Sequence, residues 1–229
     1  MRWQRPSGPV SVAEFLLLAD HCGLMTRLTD LVLDNVCRQV VRWREAGAQA
    51  PCISVNLSAQ DLDRCDLADA LLRIVQRHRL QPTDVMFEIT ETELVTRIDS
   101  ARAQLQLLRA EGVEIAIDDF GTGFSSLAQL VALPVDALKI DRSFLLGLPG
   151  EAKREQVVQV IVNLANDLGM QVIAEGVERP EQLAWLACLG VNAYQGYLFH
   201  GPAPAEHWTS LLRNKRKRLT GWEATESRH

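Results

Sequence analysis

Polar and ionisable residues recur at the ends of short apolar runs in this sequence. Carboxylates dominate the set, and one lysine and two amides accompany them: Asn56, Glu88, Asp118 with Asp119, Lys139, Glu175 and Gln195. Carboxylate and amide oxygens suit hard ions such as Mg²⁺ or Mn²⁺ better than zinc. Four carboxylates converging on one lysine would repel one another strongly unless cations lay between them. If these side chains meet, the set therefore predicts a metal site.

The apolar runs have the length and the Ile and Val content of buried strands. There are six of them, at Ile53–Leu57, Val85–Thr90, Ile115–Asp118, Ala137–Ile140, Gln171–Ala174 and Ala193–Phe199. Segments with helical periodicity separate them, and strand alternating with helix predicts a parallel sheet with covered faces. In a parallel α/β barrel, the active site assembles at the C-terminal ends of the strands. The polar residues fall at these ends.

Each polar residue also has an ordinary structural explanation when it is taken alone. Asn56 could cap a helix that begins near Ser58. Glu88 or Glu175 could be a rim carboxylate paired with an arginine, and Lys139 could extend its ammonium group to solvent. Gln195 could bond a neighbouring loop. Because burying charge on several strands is costly without a partner or a metal, the joint arrangement favours the site.

The segment DDFGTGFSS, residues 118–126, predicts a strand end that passes into a flexible loop. Gly121 and Gly123 permit backbone angles that other residues avoid. Such a loop could close over a ligand. The two acids in front of the glycines make an ordinary turn the weaker interpretation.

Composition excludes several classes of protein. The chain has 229 residues with 47% hydrophobic content, enough for one core, and a net charge of −5 argues against a general DNA or RNA binder. The five cysteines are dispersed without a CxxC pair, which predicts reduced thiols in the cytoplasm. No run approaches the roughly 18 apolar residues of a membrane span. The histidines His21, His78, His200 and His207 show no metal-ligand spacing and predict surface or loop roles.

Six stretches that carry these residues resemble the EAL family of cyclic di-GMP phosphodiesterases. They are SVNLSAQDL, FEITETELV, AIDDFGTGFSSL, LPVDALKIDRSFL, VIAEGVERPEQL and NAYQGYLFHGPAPAE, and they occur in the family's order. The similarity extends from Arg2 to about Trp208. It implies a TIM-like (β/α) barrel of the EAL type, with about six of its eight strands in this chain, and a homodimer. We expect this domain to span residues 1–213 and residues 214–229 to form a basic, disordered tail.

The resemblance also implies roles for individual residues and a reaction. Metal ligands would be Asn56, Glu88, Asp118, Asp119, Asp141 and Glu175, with Glu175 and Lys139 acting in catalysis. Substrate contacts would be Arg2, Gln195 and Glu178, and Glu91 would steady the DDFG loop. The implied reaction is hydrolysis of one phosphodiester bond of cyclic di-GMP to linear pGpG, with two Mg²⁺ or Mn²⁺ ions per site.

The sequence departs from the family pattern at its start. Arg2-Trp3 follows Met1, so the Glu-Ala-Leu tripeptide that names the family, with its metal-binding glutamate, would fall upstream. We expect two strands to be absent with it, which would expose strand edges. A start assigned at an internal methionine, a fragment and a protein that has abandoned catalysis all remain open. The alternative function is therefore an impaired cyclic di-GMP receptor or a protein-interaction module.

Overall fold

Six parallel strands in a single sheet form the centre of the molecule. The structure is a computed structural model that describes residues 4–5, 8–9, 11–121, 130–131 and 133–218. The sheet follows chain order: β3 (Ile53–Asn56), β4 (Val85–Thr90), β5 (Glu114–Phe120), β6 (Ala137–Ile140), β7 (Gln171–Ala174) and β8 (Ala193–Tyr194). All six predicted strands are confirmed, although β8 is much shorter than its apolar run. A separate antiparallel hairpin, β1 (Gln4–Arg5) with β2 (Gly8–Pro9), was not predicted.

Helices connect the strands and cover one face of the sheet. The longer ones are Val12–His21, Met25–Glu45, Leu67–Arg77, Ile98–Ala110, Ala152–Asp167, Pro180–Cys188 and Ala205–Arg218. The shorter ones are Ala59–Leu62, Glu91–Thr96, Arg142–Leu145 and the 3₁₀ turn Pro82–Asp84. The predicted TIM-like (β/α) architecture, with about six strands in this chain, is confirmed: six parallel strands and their helices form a half-barrel. Within the described residues, no helix is long and apolar enough to cross a membrane.

Three short helices begin immediately after strands, and each is capped by a side chain at the strand end. Ser58 Oγ accepts a hydrogen bond from the Asp61 amide, Thr90 Oγ1 from that of Glu93, and Asp141 from that of Ser143. Such caps satisfy amides that a helix leaves without an internal partner. The interpretation of Asn56 as a cap is wrong, because Ser58 takes that position.

Side-chain alternation divides the sheet into two faces. On β4, Phe87 and Ile89 are fully buried in the main core under the helices. Met86, one residue earlier, belongs to a separate small cluster with Ala116, Ala137 and Ile173. Glu88 and Lys139 lie two residues after Met86 and Ala137, so they continue this second face beyond its apolar layer. The apolar layer therefore forms a floor beneath the charged residues.

The C-terminal helix packs against the end of the helix Met25–Glu45. The Trp43 indole N–H donates to the Ala205 carbonyl and to Thr209 Oγ1, at 3.3 and 3.1 Å. Arg213 Nε donates to the Ala46 carbonyl at 2.6 Å. This helix continues to Arg218, five residues into the segment predicted as a tail. The predicted disorder of the remaining residues, 219–229, lies outside the described residues.

Candidate metal centre and active site

A bulge at the end of β5 positions the two adjacent aspartates. The pairing register between β5 and β6 shifts between Ile117 and Phe120. Asp119 has a φ of 53°, in the left-handed region that aspartate tolerates better than most residues, and its amide donates to Asp118 Oδ1 at 3.0 Å. Successive side chains of a regular strand point to opposite faces, and a bulge changes their direction. Asp118 and Asp119 thus present carboxylates to the same site.

Lys139 lies at the centre of a buried ion-pair cluster. Its Nζ is 2.8 Å from Glu88 Oε2, 3.0 Å from Asp118 Oδ1 and 2.6 Å from Glu175 Oε1. Lys139 is 3% exposed and Glu88 is 7% exposed. The three partners come from β4, from β5 and from the residue after β7, so the sheet brings together groups that lie up to 87 positions apart in the sequence. The alternative interpretation, in which Lys139 extends its ammonium group to solvent, is wrong.

The negative charge of this cluster exceeds the charge of its lysine. Asp118, Asp119 and Glu175 each offer an oxygen, and these atoms lie within 4.8 Å of one another. Burial, followed by the neighbouring charges of Asp118 and Asp141, raises the pKa of Asp119. Burial also raises the pKa of Glu175 despite its bond to Lys139. Lys139 supplies one positive charge among at least four carboxylates, so the donor set fits divalent cations.

Lys139 stays protonated in this environment. Burial alone would lower its pKa, but hydrogen bonds to Glu175 and Glu88 outweigh burial and raise it. A protonated ammonium group can donate to three carboxylates and can also stabilise negative charge that develops beside it.

Asp141 and Glu91 lie beside this cluster, and each has a defined local contact. Asp141 Oδ1 accepts from the Ser143 amide at 3.0 Å. Burial alone would raise the pKa of Asp141, but hydrogen bonds from Ser143 and from the amide of Arg142 lower it. Glu91 is buried at the start of its short helix, and its Oε2 accepts from the Gly121 amide at 2.8 Å. Glu91 therefore binds the first glycine of the DDFG loop, while residues 122–129 of that loop lie outside the described residues, so its role in steadying the loop stays a prediction.

A cavity of about 490 Å³ adjoins the cluster at Glu175. Polar, aromatic and glycine residues line it: Arg142, Glu175, Gly176, Gln195, Gly196, Tyr197, His200, Gly201, Pro202 and Trp208. Arg142 contributes a positively charged side chain to the cavity wall. Such a cavity has the size and the mix of groups of a small-ligand site.

Two glycines allow the loops under this cavity to pack closely. A Cβ on Gly196 would lie 2.1 Å from the Val177 carbonyl oxygen, and one on Gly176 would lie 2.4 Å from Arg142 Cβ. The Val177 amide also donates to the Gln195 carbonyl at 3.0 Å. Glycine is therefore required at both positions to bring Glu175 and Gln195 to one cavity.

Three of the predicted site residues make no described contact with the carboxylate cluster or the cavity wall: Asn56, Glu178 and Arg2. Asn56 ends β3 as an exposed residue, and its Cα pairs in register with that of Glu88. Glu178 is exposed and is not among the residues that line the cavity. Arg2 lies outside the described residues. The proposed roles of these three residues stay predictions.

Sequence reasoning missed the charged and aromatic side chains of the cavity wall, namely Arg142, Tyr197, His200 and Trp208. Arg142 directly follows Asp141, and Tyr197 and His200 follow Gln195 in one of the matched stretches, so adjacency was the available signal. Trp208 comes from the C-terminal helix, and no local pattern relates it to the others.

The fold and site define a (β/α)-barrel protein that carries a cluster of carboxylates at the C-terminal ends of its strands. The chain belongs to the EAL domain family, whose model matches residues 1–202. The family resemblance found in the sequence is thereby confirmed.

Curated relatives of the chain are larger proteins. It is 40% identical over 207 residues to the "Bifunctional diguanylate cyclase/cyclic di-GMP phosphodiesterase MucR" of Pseudomonas aeruginosa, covering 90% of this chain and 30% of that protein. It is 38% identical to the "Cyclic di-GMP phosphodiesterase NbdA" of the same organism, covering 93% and 27%. The chain therefore spans less than a third of the length of either relative.

A solved structure described as "PaMucR Phosphodiesterase, c-di-GMP complex" has the same fold. It superposes with a TM-score of 0.83 at 39% identity, covering 90% of this chain and 84% of that one.

Proposed function

We propose that this chain is a phosphodiesterase domain that hydrolyses cyclic di-GMP to linear pGpG with divalent cations. The observation that carries the proposal is the cluster of Asp118, Asp119 and Glu175 oxygens within 4.8 Å of one another, joined through Lys139 to Glu88. The names of the similar proteins support the choice of substrate and reaction.

The residues that would hold Mg²⁺ or Mn²⁺ are Asp118, Asp119, Glu175 and Glu88, with Asn56 and Asp141 as further candidates. Bound cations of this kind lower the pKa of a water and neutralise charge on a phosphate oxygen. Carboxylates held in fixed positions keep their geometry during the reaction, which lowers the cost of reorganisation. The cluster supplies this preorganisation.

Glu175 and Lys139 would act on the reacting atoms. Glu175 belongs to the carboxylate cluster and also lines the cavity, and it is the one residue of the three-carboxylate cluster that does both. A carboxylate there can accept a proton from a water that attacks a phosphodiester placed at the cavity edge. The buried ammonium group of Lys139 can offset negative charge as the phosphorus centre expands.

The cavity would bind the nucleotide. Gln195 offers an amide that both donates and accepts, Arg142 offers a guanidinium group for phosphate or base oxygens, and Tyr197 and Trp208 offer aromatic faces. Arg2 and Glu178 remain proposed substrate contacts from the resemblance.

The direct test is chromatographic separation of cyclic di-GMP and pGpG after incubation with the chain and Mg²⁺ or Mn²⁺. We expect turnover that a chelator abolishes and added cation restores. Asp118→Asn and Glu175→Gln should abolish turnover, whereas the exposed Asp69→Asn should leave it unchanged. Nucleotide that stays intact with both cations, in a protein shown to be folded, would contradict the enzymatic proposal.

A second candidate is a receptor that binds cyclic di-GMP without cleaving it. The ion pairs of Lys139 to Glu88, Asp118 and Glu175 favour it, because the protein's own ammonium group already balances part of the charge. Calorimetry separates the two functions. A receptor gives heat of nucleotide binding without pGpG, and a protein-interaction module gives neither.

We further propose a homodimer that acts in the cytoplasm. Val157 and Val160 are exposed apolar residues on the helix Ala152–Asp167, at 44% and 64%, which supports self-association through that helix. The five free cysteines support a reducing compartment. Light scattering at micromolar protein should report twice the mass of the 25.5 kDa chain, and a monomeric mass would contradict the dimer.

A further inference from the structure

Two histidines with no recognisable spacing in the sequence meet at the rim of the cavity. Nε2 of His200, in the loop after β8, lies 2.7 Å from Nε2 of His207, at the start of the C-terminal helix. Their ring centroids are 4.5 Å apart, and both residues are exposed. Neither histidine belongs to the carboxylate cluster, so the chemistry of that cluster does not explain why the two rings touch.

The hydrogen bonds of His200 determine which of its nitrogens is free to accept. Its Nδ1 lies 2.6 Å from the Gly201 carbonyl oxygen, which can only accept, so Nδ1 carries the proton. Nε2 of the neutral ring therefore presents a lone pair, and it accepts from Nε2–H of His207. A backbone carbonyl on Nδ1 is also how proteins orient a histidine that binds a metal through Nε2.

We propose that His200 and His207 form a binding site for a borderline divalent transition ion, such as Zn²⁺, Ni²⁺ or Co²⁺, through their two Nε2 atoms. Metal–imidazole bonds of about 2.0–2.1 Å place two such nitrogens roughly 2.9 Å apart at a right angle and about 3.4 Å apart at the tetrahedral angle. The rings therefore need to separate by about 0.2–0.7 Å from their 2.7 Å contact and to tilt so that both Nε2 atoms face the ion. The proton on His207 Nε2 moves to Nδ1 by tautomerisation, and the ion takes both lone pairs. Water or a ligand oxygen fills the remaining positions.

The donor type separates this site from the carboxylate centre. Imidazole nitrogen favours Zn²⁺, Ni²⁺ and Co²⁺, whereas carboxylate oxygen favours Mg²⁺ and Mn²⁺. His200 and Trp208 share the cavity wall with Glu175, so an ion on the pair would add positive charge to the wall of that cavity. The inference concerns ion binding alone and does not depend on the proposed hydrolysis.

Equilibrium dialysis with Ni²⁺ tests the site on the whole chain, purified without a polyhistidine tag. Excess Mg²⁺ is present throughout to occupy the carboxylates. We expect one Ni²⁺ per chain above the thiol background, and His200→Gln or His207→Gln should weaken this binding at least about tenfold, because even outer-shell partners of a metal change affinity by roughly 10–100-fold. His21→Gln, at an exposed histidine outside the pair, is the matched control and should bind Ni²⁺ like the unaltered chain.

Tryptophan fluorescence gives a second readout. The Trp208 ring is 4.9 Å from that of His200 and 6.3 Å from that of His207, so Ni²⁺ on the pair should quench its emission, and Trp208→Phe should reduce the quenching. Circular dichroism confirms that each variant is folded. Equal Ni²⁺ affinity in the unaltered chain and in both pair variants overturns the proposal, and so does quenching that is as strong in Trp208→Phe as in the unaltered chain.

Discussion

The carboxylate of Glu91 holds the backbone of Gly121, 30 residues away, by a hydrogen bond of 2.8 Å. Gly121 follows the two aspartates of the β5 bulge by two residues, and Glu91 follows β4 directly. The bond thus couples the end of one strand to the geometry of the carboxylate-bearing end of its neighbour. Because Gly121 directly follows β5, the position of its amide sets where the chain leaves the strand.

Removal of the Glu91 carboxylate should loosen this loop. Glu91→Ala loses a hydrogen bond to a charged acceptor, a contribution of about 1.5 kcal/mol, which corresponds to roughly tenfold in rate if it serves the transition state. Hydrogen exchange at Gly121 should accelerate in parallel with the loss of cyclic di-GMP turnover. The exposed Thr92→Ala is the control on the same helix, and unchanged exchange at Gly121 in Glu91→Ala would contradict the coupling.

Replacement of the central ammonium group should remove activity without removing the cation. Lys139→Met leaves Glu88, Asp118 and Glu175 close together without their shared donor, so divalent ions should still bind there. We expect turnover to fall by on the order of 100-fold or more, as when a preorganised donor is removed from an active site. Steady-state kinetics and Mn²⁺ titration measure the two effects separately, with the exposed Lys153→Met as control. Near-normal turnover in Lys139→Met would show that the ammonium group has no catalytic role.

An added methyl group at Gly196 should disturb the cavity more than one at Gly190. Gly196→Ala places Cβ 2.1 Å from the Val177 carbonyl oxygen, so one loop must move and Gln195 moves with it. Gly190 has open space around it but a φ of 82°, so Gly190→Ala costs only backbone strain, about 1–2 kcal/mol. Thermal denaturation and turnover should both be affected more strongly in Gly196→Ala. The reverse order would indicate that the loops pack less closely than described.

The stability of the chain should depend on Asp34 at neutral pH but not in acid. The hydrogen bond from His78 lowers the pKa of Asp34 below its ordinary value of 3.8; burial opposes the shift and the charges of Arg38 and Arg77 assist it. A carboxyl group whose pKa is lowered by folding stabilises the protein at pH values above its pKa in the unfolded chain. This contribution is lost as the pH falls through the pKa of the folded state. Asp34→Asn should therefore lower the Tm at pH 6 by about 2–4 °C, the shift that corresponds to roughly 1 kcal/mol in a domain of this size.

Thermal scans across pH check this prediction. The difference between Asp34→Asn and the unaltered chain should shrink as pH falls below 3.8, while the exposed Asp69→Asn should show little difference at any pH. A difference in Tm that persists unchanged into acid would mean that Asp34 contributes by its shape and not by its charge.

Local pattern was enough to predict much of this molecule. Runs such as VMFEIT predict a strand from their own residues, because apolar residues on both faces are typical of a strand in a buried parallel sheet. The sequence of each run also shows a polar residue in the run or directly after it. Glu88, Asp118, Lys139 and Glu175 could therefore be named as a site, since parallel strands place their C-terminal ends at one edge.

Other features depended on contacts between distant segments. The bulge at Asp118 and Asp119 arises from the register between β5 and β6, and the caps at Thr90 and Asp141 required the exact strand ends. Lys139 taken alone is equally compatible with solvent exposure, because a single lysine in a strand gives no indication of its partners. Spacing along the chain likewise does not relate His200 to His207.

By itself, the sequence determined the order of strands and helices, the residues at the strand ends and the family, because these follow from short-range periodicity and from contiguous motifs. Only the tertiary structure decided which carboxylates share Lys139, how Glu91 holds Gly121, and that two unrelated histidines touch. The physical reason is that side-chain partners are set by the pairing register and by helix packing, which join positions far apart in the chain.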